Sequence, residues 1–276
     1  MRSNNTAKTL GPQSARLVVR LYDANREIFT IADAQEALGR SSVSIRSLLR
    51  DLVNRGLVTR LKPGLFQLVP MQLGSERVYI GNPYLVAHEL ADGLDYYVSH
   101  ASAMELHRMV TQPQLVVYIS MLKSHRPSLI HGLEYRFVKT QKKHFFGTTE
   151  IWVDKQHKIT VSDLEKTVID GLKQPEYCGG ISEVAKGIWM RHSDLKIDVL
   201  IQYALELGIQ AIIKRLGYLL ELYQCAAPNQ VAPLLDMAER PYSLLDPAFP
   251  NEGNYSARWK LRLNVEPDEL LSVIRT

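Results

Sequence analysis

The stretch RSSVSIRSLLRDLVNRGLVTRLKPGLFQLVP, residues 40–70, decides how the N-terminal part of this chain folds. Its first half predicts a helix that Ser41 or Ser42 caps and that ends near Gly56. The apolar residues of this helix recur at the spacing of one helical face: Ile45, Leu48, Leu49 and Leu52. In the second half, the segments LVTRL and LFQLV on either side of KPG predict a β-hairpin.

Two amphipathic segments precede this stretch and complete a three-helix unit. The segment SARLVVRLYDANREIF has apolar residues at helical spacing, and Ser14 is in position to cap it. The segment TIADAQEALG begins with Thr30 and Asp33, a variant of the capping box, and ends at Gly39. Three helices followed by a hairpin are the layout of a winged helix-turn-helix. Residues 1–13 are polar and close with Gly-Pro, so they are expected to form a disordered tail.

The rest of the chain predicts a larger domain of mixed composition. Strand patterns come first, and three helical runs follow at about 182–190, 198–207 and 209–224. Between them, SDLEKTVIDGL predicts a helix with a capping box formed by Ser162 and Glu165, and the proline-rich stretch 228–250 predicts loop. The predicted fold class is therefore α+β, with a winged helix-turn-helix domain at 14–70 and a mixed α+β domain at 71–276.

The charge of the chain is concentrated at its N-terminal end. The formal net charge is +4, but residues 1–70 carry 11 Lys and Arg against 5 Asp and Glu, which leaves the remainder mildly acidic. The segment from Arg40 to Lys62 holds six basic residues and only one acid, Asp51. Ordinary solvent-exposed helix faces mix both signs to form ion pairs. A basic end on a nearly neutral body favours contact with a polyanion.

The polar face of the predicted third helix carries side chains that read DNA. Arginine pairs bidentately with guanine, asparagine with adenine, and serine with base edges or phosphates, while basic residues on a wing contact flanking phosphates. The predicted DNA-binding residues are Ser41, Ser42, Ser44, Arg46, Ser47, Arg50, Asn54, Arg60 and Lys62. The alternative is that these residues form the ordinary solvent-exposed face of a helix and hairpin. The order of the helices and the hairpin, together with the excess of basic residues, favours DNA binding.

A second basic tract lies in residues 121–158, where aromatic residues alternate with lysine and arginine. It is a candidate second nucleic-acid surface, built from Lys123, Arg126, Arg136, Lys139, Lys142 and Lys143. A strand pair with one solvated basic face explains the tract equally well. The histidines of the same span do not have metal-ligand spacing, so no metal site is predicted.

Sequence motifs for catalysis are absent or incomplete. The chain has no phosphate-binding glycine loop and no Gly-x-Ser-x-Gly elbow, and Gly74-Ser75 lacks the downstream aspartates of a nucleotidyltransferase. Asp194-Leu195-Lys196 resembles the end of a nuclease motif but sits in helical surroundings. The prediction is a protein that is not an enzyme and needs no cofactor. A protein-interaction module and a nucleic-acid-processing enzyme remain the alternatives.

Composition places the protein in the cytoplasm. No apolar run approaches the roughly 20 residues of a membrane span, and the first residues lack the apolar core of a secretory signal. The two cysteines, Cys178 and Cys225, lie far apart and outside any metal motif, so they are expected to be free thiols in a reducing compartment.

The two halves together resemble the AbiEi-type antitoxins of type IV toxin–antitoxin systems. The residues that carry the resemblance are the hairpin RGLVTRLKPGLFQLVP and the segment KITVSDLEKTVIDGLKQPEYCGGISEVAKGI. The resemblance extends from about Ser14 over nearly the whole chain. It implies a repressor that autoregulates its operon by binding promoter inverted repeats, and a C-terminal domain that counteracts a nucleotidyltransferase toxin without necessarily binding it.

Overall fold

The computed structural model describes residues 10–112 and 114–272. The chain forms two compact units. The first unit runs to Gly93 and also contains Ser128–Glu134 and Trp152–Lys158. The second unit holds Leu94–Pro127, Tyr135–Ile151 and the chain from Ile159 onward. Within the described ranges, no helix is long and apolar enough to cross a membrane.

The first unit contains three helices, α1 (Pro12–Asp23), α2 (Ile31–Leu38) and α3 (Ser42–Asn54). The capping box of α2 is present as predicted: Thr30 accepts a hydrogen bond from the Asp33 backbone N–H, and the Asp33 carboxylate accepts one from the Thr30 backbone N–H. Gly39 ends α2 in the left-handed conformation, at φ 65°, which glycine adopts without strain. A tight connection therefore leads directly from α2 into α3.

The hairpin predicted after α3 is also present, as β2 (Val58–Lys62) and β3 (Leu65–Leu68). A short strand that the sequence did not indicate, β1 (Ile28–Thr30), pairs antiparallel with β3 and makes a three-stranded sheet in the order β1-β3-β2. Apolar residues of all three helices and of the sheet form one core, which includes Leu17, Ala34, Ile45, Leu49, Leu52 and Phe66. A further helix, α4 (Pro83–Ala91), follows in the same unit.

A six-stranded sheet follows in the chain, with the order β6-β7-β5-β4-β9-β8. Its strands are β4 (Tyr96–Val98), β5 (Val116–Met121), β6 (Ser128–Ile130), β7 (Leu133–Lys139), β8 (Thr148–Trp152) and β9 (Lys158–Ser162). The strand β4 pairs antiparallel with β5 and parallel with β9. The helix α5 (His100–Leu106) directly follows β4.

Helices dominate the remainder of the second unit. They are α6 (Leu164–Lys173), α7 (Ile181–Met190), α8 (Ile197–Leu207), α9 (Gln210–Leu222), α10 (Pro228–Asp236) and α11 (Pro267–Leu271). A small sheet of β10 (Ser243–Leu244), β12 (Leu261–Leu263) and β11 (Asn254–Ser256) lies between α10 and α11 in the chain. The helix α6 packs against α5, α7, α8 and α9, so it is central to the core of this unit. The mixed α+β class predicted from the sequence is confirmed.

The starts of two helices differ from the prediction. The helix α1 begins at Pro12, within the predicted tail, and Gly11 is its cap, because proline is pre-organised for the first helical position. Ser14 is therefore a buried residue inside α1 and not its cap. Residues 1–9 of the predicted tail lie outside the described residues.

The cap of α6 is Asp163 and not Ser162. The Asp163 carboxylate accepts the Lys166 backbone N–H at 2.7 Å, whereas the Ser162 hydroxyl bonds to Thr167 and the Glu165 carboxylate accepts the Lys196 backbone N–H. A carboxylate is favoured over a hydroxyl at this position because it also interacts with the helix dipole.

Part of the proline-rich stretch predicted as loop forms α10. Pro228 occupies its first turn, where a missing backbone N–H costs nothing.

Candidate nucleic-acid interface

The helix α3 begins with a cap that orders its first turn. Ser41 is the N-cap, and its hydroxyl accepts the backbone N–H of Ser44 at 3.4 Å. The first N–H groups of a helix otherwise lack partners and carry the positive end of the helix dipole. Such a terminus attracts phosphate groups.

The two faces of α3 separate cleanly by burial. Ile45, Leu49 and Leu52 are buried in the core of the first unit. The exposed residues recur three, four and seven positions apart, which places them on one side of the helix: Val43, Arg46, Ser47, Arg50, Asp51 and Asn54. We call this set the α3 outer face. Most of the predicted reading side chains thus share one solvent-accessible surface.

The two arginines of the α3 outer face make no polar contact with the part of the chain that the structure describes. Neither Arg46 nor Arg50 has a hydrogen bond or ion pair with any residue in the described ranges. By contrast, Asp51 forms an ion pair at 3.2 Å with Arg55, one turn further along the same helix. The single acid of this segment is therefore already neutralised, and both outer-face guanidinium groups are available to an anionic partner.

The predicted serines divide into two groups. Ser41 and Ser47 are exposed, whereas Ser42 and Ser44 are half-buried in the first turn of α3. The side chains of Ser42 and Ser44 are therefore less accessible than the helical pattern predicted.

The sequence reasoning missed Val43, whose side chain is 79% exposed between these serines. An exposed β-branched residue in the first turn of a polar helix face was the signal that would have identified it.

The basic residues of the hairpin lie at the end of β2. Arg60 is exposed and Lys62 is half-buried. The pairing of β2 with β3 shifts between these two residues, which is a β-bulge. Both basic residues lie near the tip of the hairpin, since Arg60 pairs with Phe66 and Lys62 with Leu65. A bulge changes the direction of the side chains next to it. The backbone carbonyl of Arg60 lies 3.3 Å from the Nε2 atom of His131, so this contact does not involve the Arg60 guanidinium.

The side chains of the second basic tract do not all lie on one surface. Arg136 and Lys139 both lie on β7, three residues apart, so their side chains emerge on opposite faces of the strand. Arg136 is half-buried with its guanidinium over the ring of Tyr118, 5.6 Å from the centroid. Lys123, Arg126, Lys142 and Lys143 are exposed in the segments before and after β6 and β7.

Groups that would suggest catalysis are not assembled around the candidate nuclease motif. Asp194 forms an ion pair with Arg191 at 3.0 Å, and Lys196 is the residue before α8. In the described ranges, no group of three or more His, Cys, Asp and Glu residues could hold a metal ion.

The two cysteines, Cys178 and Cys225, are not part of the Asp194–Lys196 motif, and both are free thiols. Cys178 is buried, and burial raises the pKa of its thiol well above the ordinary value.

Comparisons with known proteins show what the chain is similar to. A family model described as a transcriptional regulator, AbiEi antitoxin, matches residues 16–69, the segment of α1 to β3. The RV2827C protein from Mycobacterium tuberculosis has a similar crystal structure, with a TM-score of 0.72, 17% identity, and coverage of 99% of this chain and 97% of that chain. No curated protein matches the chain.

Residues 16–69 are therefore similar to the AbiEi antitoxins, a family of transcriptional regulators. The resemblance to AbiEi antitoxins predicted from the sequence is confirmed for residues 16–69. The likeness to the mycobacterial protein, at its low identity, concerns the fold over almost the whole chain.

Proposed function

We propose that the protein is a sequence-specific DNA-binding repressor. In this proposal residues 14–70 form a winged helix-turn-helix domain, α3 enters the major groove, and the β2–β3 hairpin is the wing. Arg46, Arg50 and Asn54 read base edges. Arg60 and Lys62 contact flanking phosphates together with the serines of the first turn of α3. The observation that supports the proposal is the pair of outer-face arginines, neither of which has a hydrogen-bond or ion-pair partner among the described residues.

The match of residues 16–69 to the AbiEi antitoxin family supports a regulatory role. We propose that the protein autoregulates its own operon in the cytoplasm by binding inverted repeats in the promoter, and that residues 71–276 form the antitoxin domain of a type IV system. The toxin would be a nucleotidyltransferase encoded next to it. The family match supports the antitoxin type. The proposal assigns no catalytic step to this chain and does not require the toxin to be bound directly.

Gel-shift titration at fixed salt with the DNA upstream of the gene tests the reading helix. Replacing Arg46 or Arg50 with alanine should weaken binding by about 5- to 150-fold each, since a bidentate contact to guanine contributes about 1–3 kcal/mol. Arg240→Ala removes the same charge from an exposed position in the second unit and is the matched control. Equal affinities of the two outer-face variants and the control would refute α3 as the reader.

The salt dependence of binding separates the wing from the reading helix. Lys62→Ala should weaken binding on specific and nonspecific DNA alike and reduce the slope of log affinity against log salt by about one unit.

Co-expression with the neighbouring toxin gene tests the antitoxin role. Growth should recover with the intact protein and also with the Arg46 and Arg50 variants, because neutralisation is assigned to residues 71–276. A toxin that remains lethal in both cases would contradict the assignment.

A further inference from the structure

One apolar residue lies on the polar surface of α3. Val43 is in the first turn of the helix and is 79% exposed. The other members of the α3 outer face are charged or polar: Arg46, Ser47, Arg50, Asp51 and Asn54. Val43 is not part of the apolar core of the first unit, to which the same helix contributes Ile45, Leu49 and Leu52. Packing within that core therefore does not explain a valine at this position.

Helical geometry places Val43 at the centre of the α3 outer face. An α-helix turns by about 100° per residue, so Arg50 and Asn54, seven and eleven positions further on, lie within about 20° of Val43 around the helix axis. The buried residues Ile45 and Leu52 lie about 160–180° away, on the side that packs into the core. Val43 is therefore aligned with two of the proposed base-reading side chains and lies opposite the core.

The position of Val43 along the helix also matters for contact with DNA. In a helix-turn-helix, the N-terminal residues of the reading helix contact base edges in the major groove. Val43 is the second residue of α3, and serines flank it: Ser42 and Ser44 along the chain, and Ser47 one turn further on. Because these side chains are short, they do not cover Val43. Its methyl groups are therefore open to a surface that approaches this end of the helix.

An apolar side chain at the centre of a DNA interface requires an apolar partner. In the major groove, base pairs present hydrogen-bond donors and acceptors together with one apolar group, the C5-methyl of thymine. Burying a methyl-sized group strengthens binding about fourfold, since it removes apolar surface from water. A cytosine at the same place would instead set its amino group against the valine, which cannot accept a hydrogen bond. The chemistry of the groove therefore favours thymine opposite Val43.

We propose that Val43 determines part of the DNA sequence specificity by contacting the methyl group of a thymine in the operator. This inference rests on the proposed function, in which α3 enters the major groove. It adds a residue that discriminates by apolar contact to residues that discriminate by hydrogen bonds, because arginine pairs with guanine and asparagine with adenine. Val43 selects thymine over cytosine at the base pair that faces the first turn of α3.

Gel-shift titration of the full-length protein with modified promoter DNA tests the contact. Each thymine is replaced in turn by deoxyuridine, which lacks only the C5-methyl group, and one replacement should weaken binding about fourfold. Val43→Ala should weaken binding to unmodified DNA about 4- to 15-fold, and its affinity should no longer respond to that deoxyuridine. Val19→Ala, at a 56% exposed position on α1, is the matched control and should behave like the intact protein.

Three results would overturn the inference: no deoxyuridine weakens binding of the intact protein, Val43→Ala binds as tightly as Val19→Ala, or Val43→Ala still loses the full factor on the deoxyuridine DNA. Alanine is a better helix former than valine, so Val43→Ala should fold, and melting curves of both variants check this. If only the thymine contact is wrong, the Arg46 and Arg50 variants still bind more weakly than the intact protein. If α3 does not read DNA at all, those two variants bind as tightly as the intact protein.

Discussion

Replacing Asp170 with asparagine should strongly destabilise the second unit. Lys166 and Asp170 form an ion pair, and their side chains are 1% and 6% exposed, so the variant leaves the lysine charge buried without its counter-ion. Removing one partner of a buried pair costs about 3–5 kcal/mol. For a unit of this size that lowers the melting temperature by roughly 6–20 °C. Urea unfolding followed by circular dichroism measures the free energy of unfolding directly.

The matched control is an exposed pair of similar spacing. Asp194 pairs with Arg191 at 3.0 Å, but their side chains are 55% and 29% exposed, so Asp194→Asn should cost at most about 1 kcal/mol. The double variant Lys166→Met with Asp170→Asn should recover most of the loss, because removing both charges leaves no uncompensated ion. If the two variants Asp170→Asn and Asp194→Asn have equal free energies of unfolding, the buried Lys166–Asp170 pair does not stabilise the second unit.

Two further predictions concern packing and pH. Gly217→Ala should destabilise the second unit by about 1–3 kcal/mol or more in urea unfolding, since the new Cβ would lie 2.1 Å from the ring of Trp259. Gly11→Ala has open space around it and should cost only the exchange of the α1 N-cap residue, about 1 kcal/mol or less. Burial lowers the pKa of His100 from 6.5 to about 4. The unfolded chain therefore binds the proton more tightly, and the stability is fully present above pH 6.5 and is lost as the pH falls towards 4. Unfolding free energies should fall by about 2 kcal/mol between pH 7 and pH 5, and His100→Gln should abolish that part of the decrease. An unchanged pH dependence in His100→Gln would contradict this.

Much of the first unit was predictable from local sequence patterns. The capping box of Thr30 and Asp33, the left-handed Gly39 and the apolar spacing of Ile45, Leu49 and Leu52 are all local signals, and each corresponds to the observed geometry. Helix caps and amphipathic periodicity depend on residues three or four apart, so a short window contains the information. The strand β1 was missed because only its pairing with β3 defines it.

The candidate DNA interface was predictable in outline but not in detail. The excess of basic over acidic residues in the segment 40–62 is visible in the sequence. Which side chains of α3 remain accessible depends on how deeply the first turn packs, and this left Ser42 and Ser44 half-buried and Val43 exposed. The availability of Arg46 and Arg50 also required the structure, because only tertiary contacts show which charges are already paired.

The sequence by itself determined the three helices and the hairpin of the first unit, the mixed fold class and the family resemblance, because these depend on local spacing and composition. Only the tertiary structure decided which groups of distant segments meet. In the second unit it brought Tyr97 of β4 together with Lys166 and Asp170 of α6. No local pattern predicts that arrangement, since burial and hydrogen bonding between segments tens of residues apart are set by the packing of the whole core.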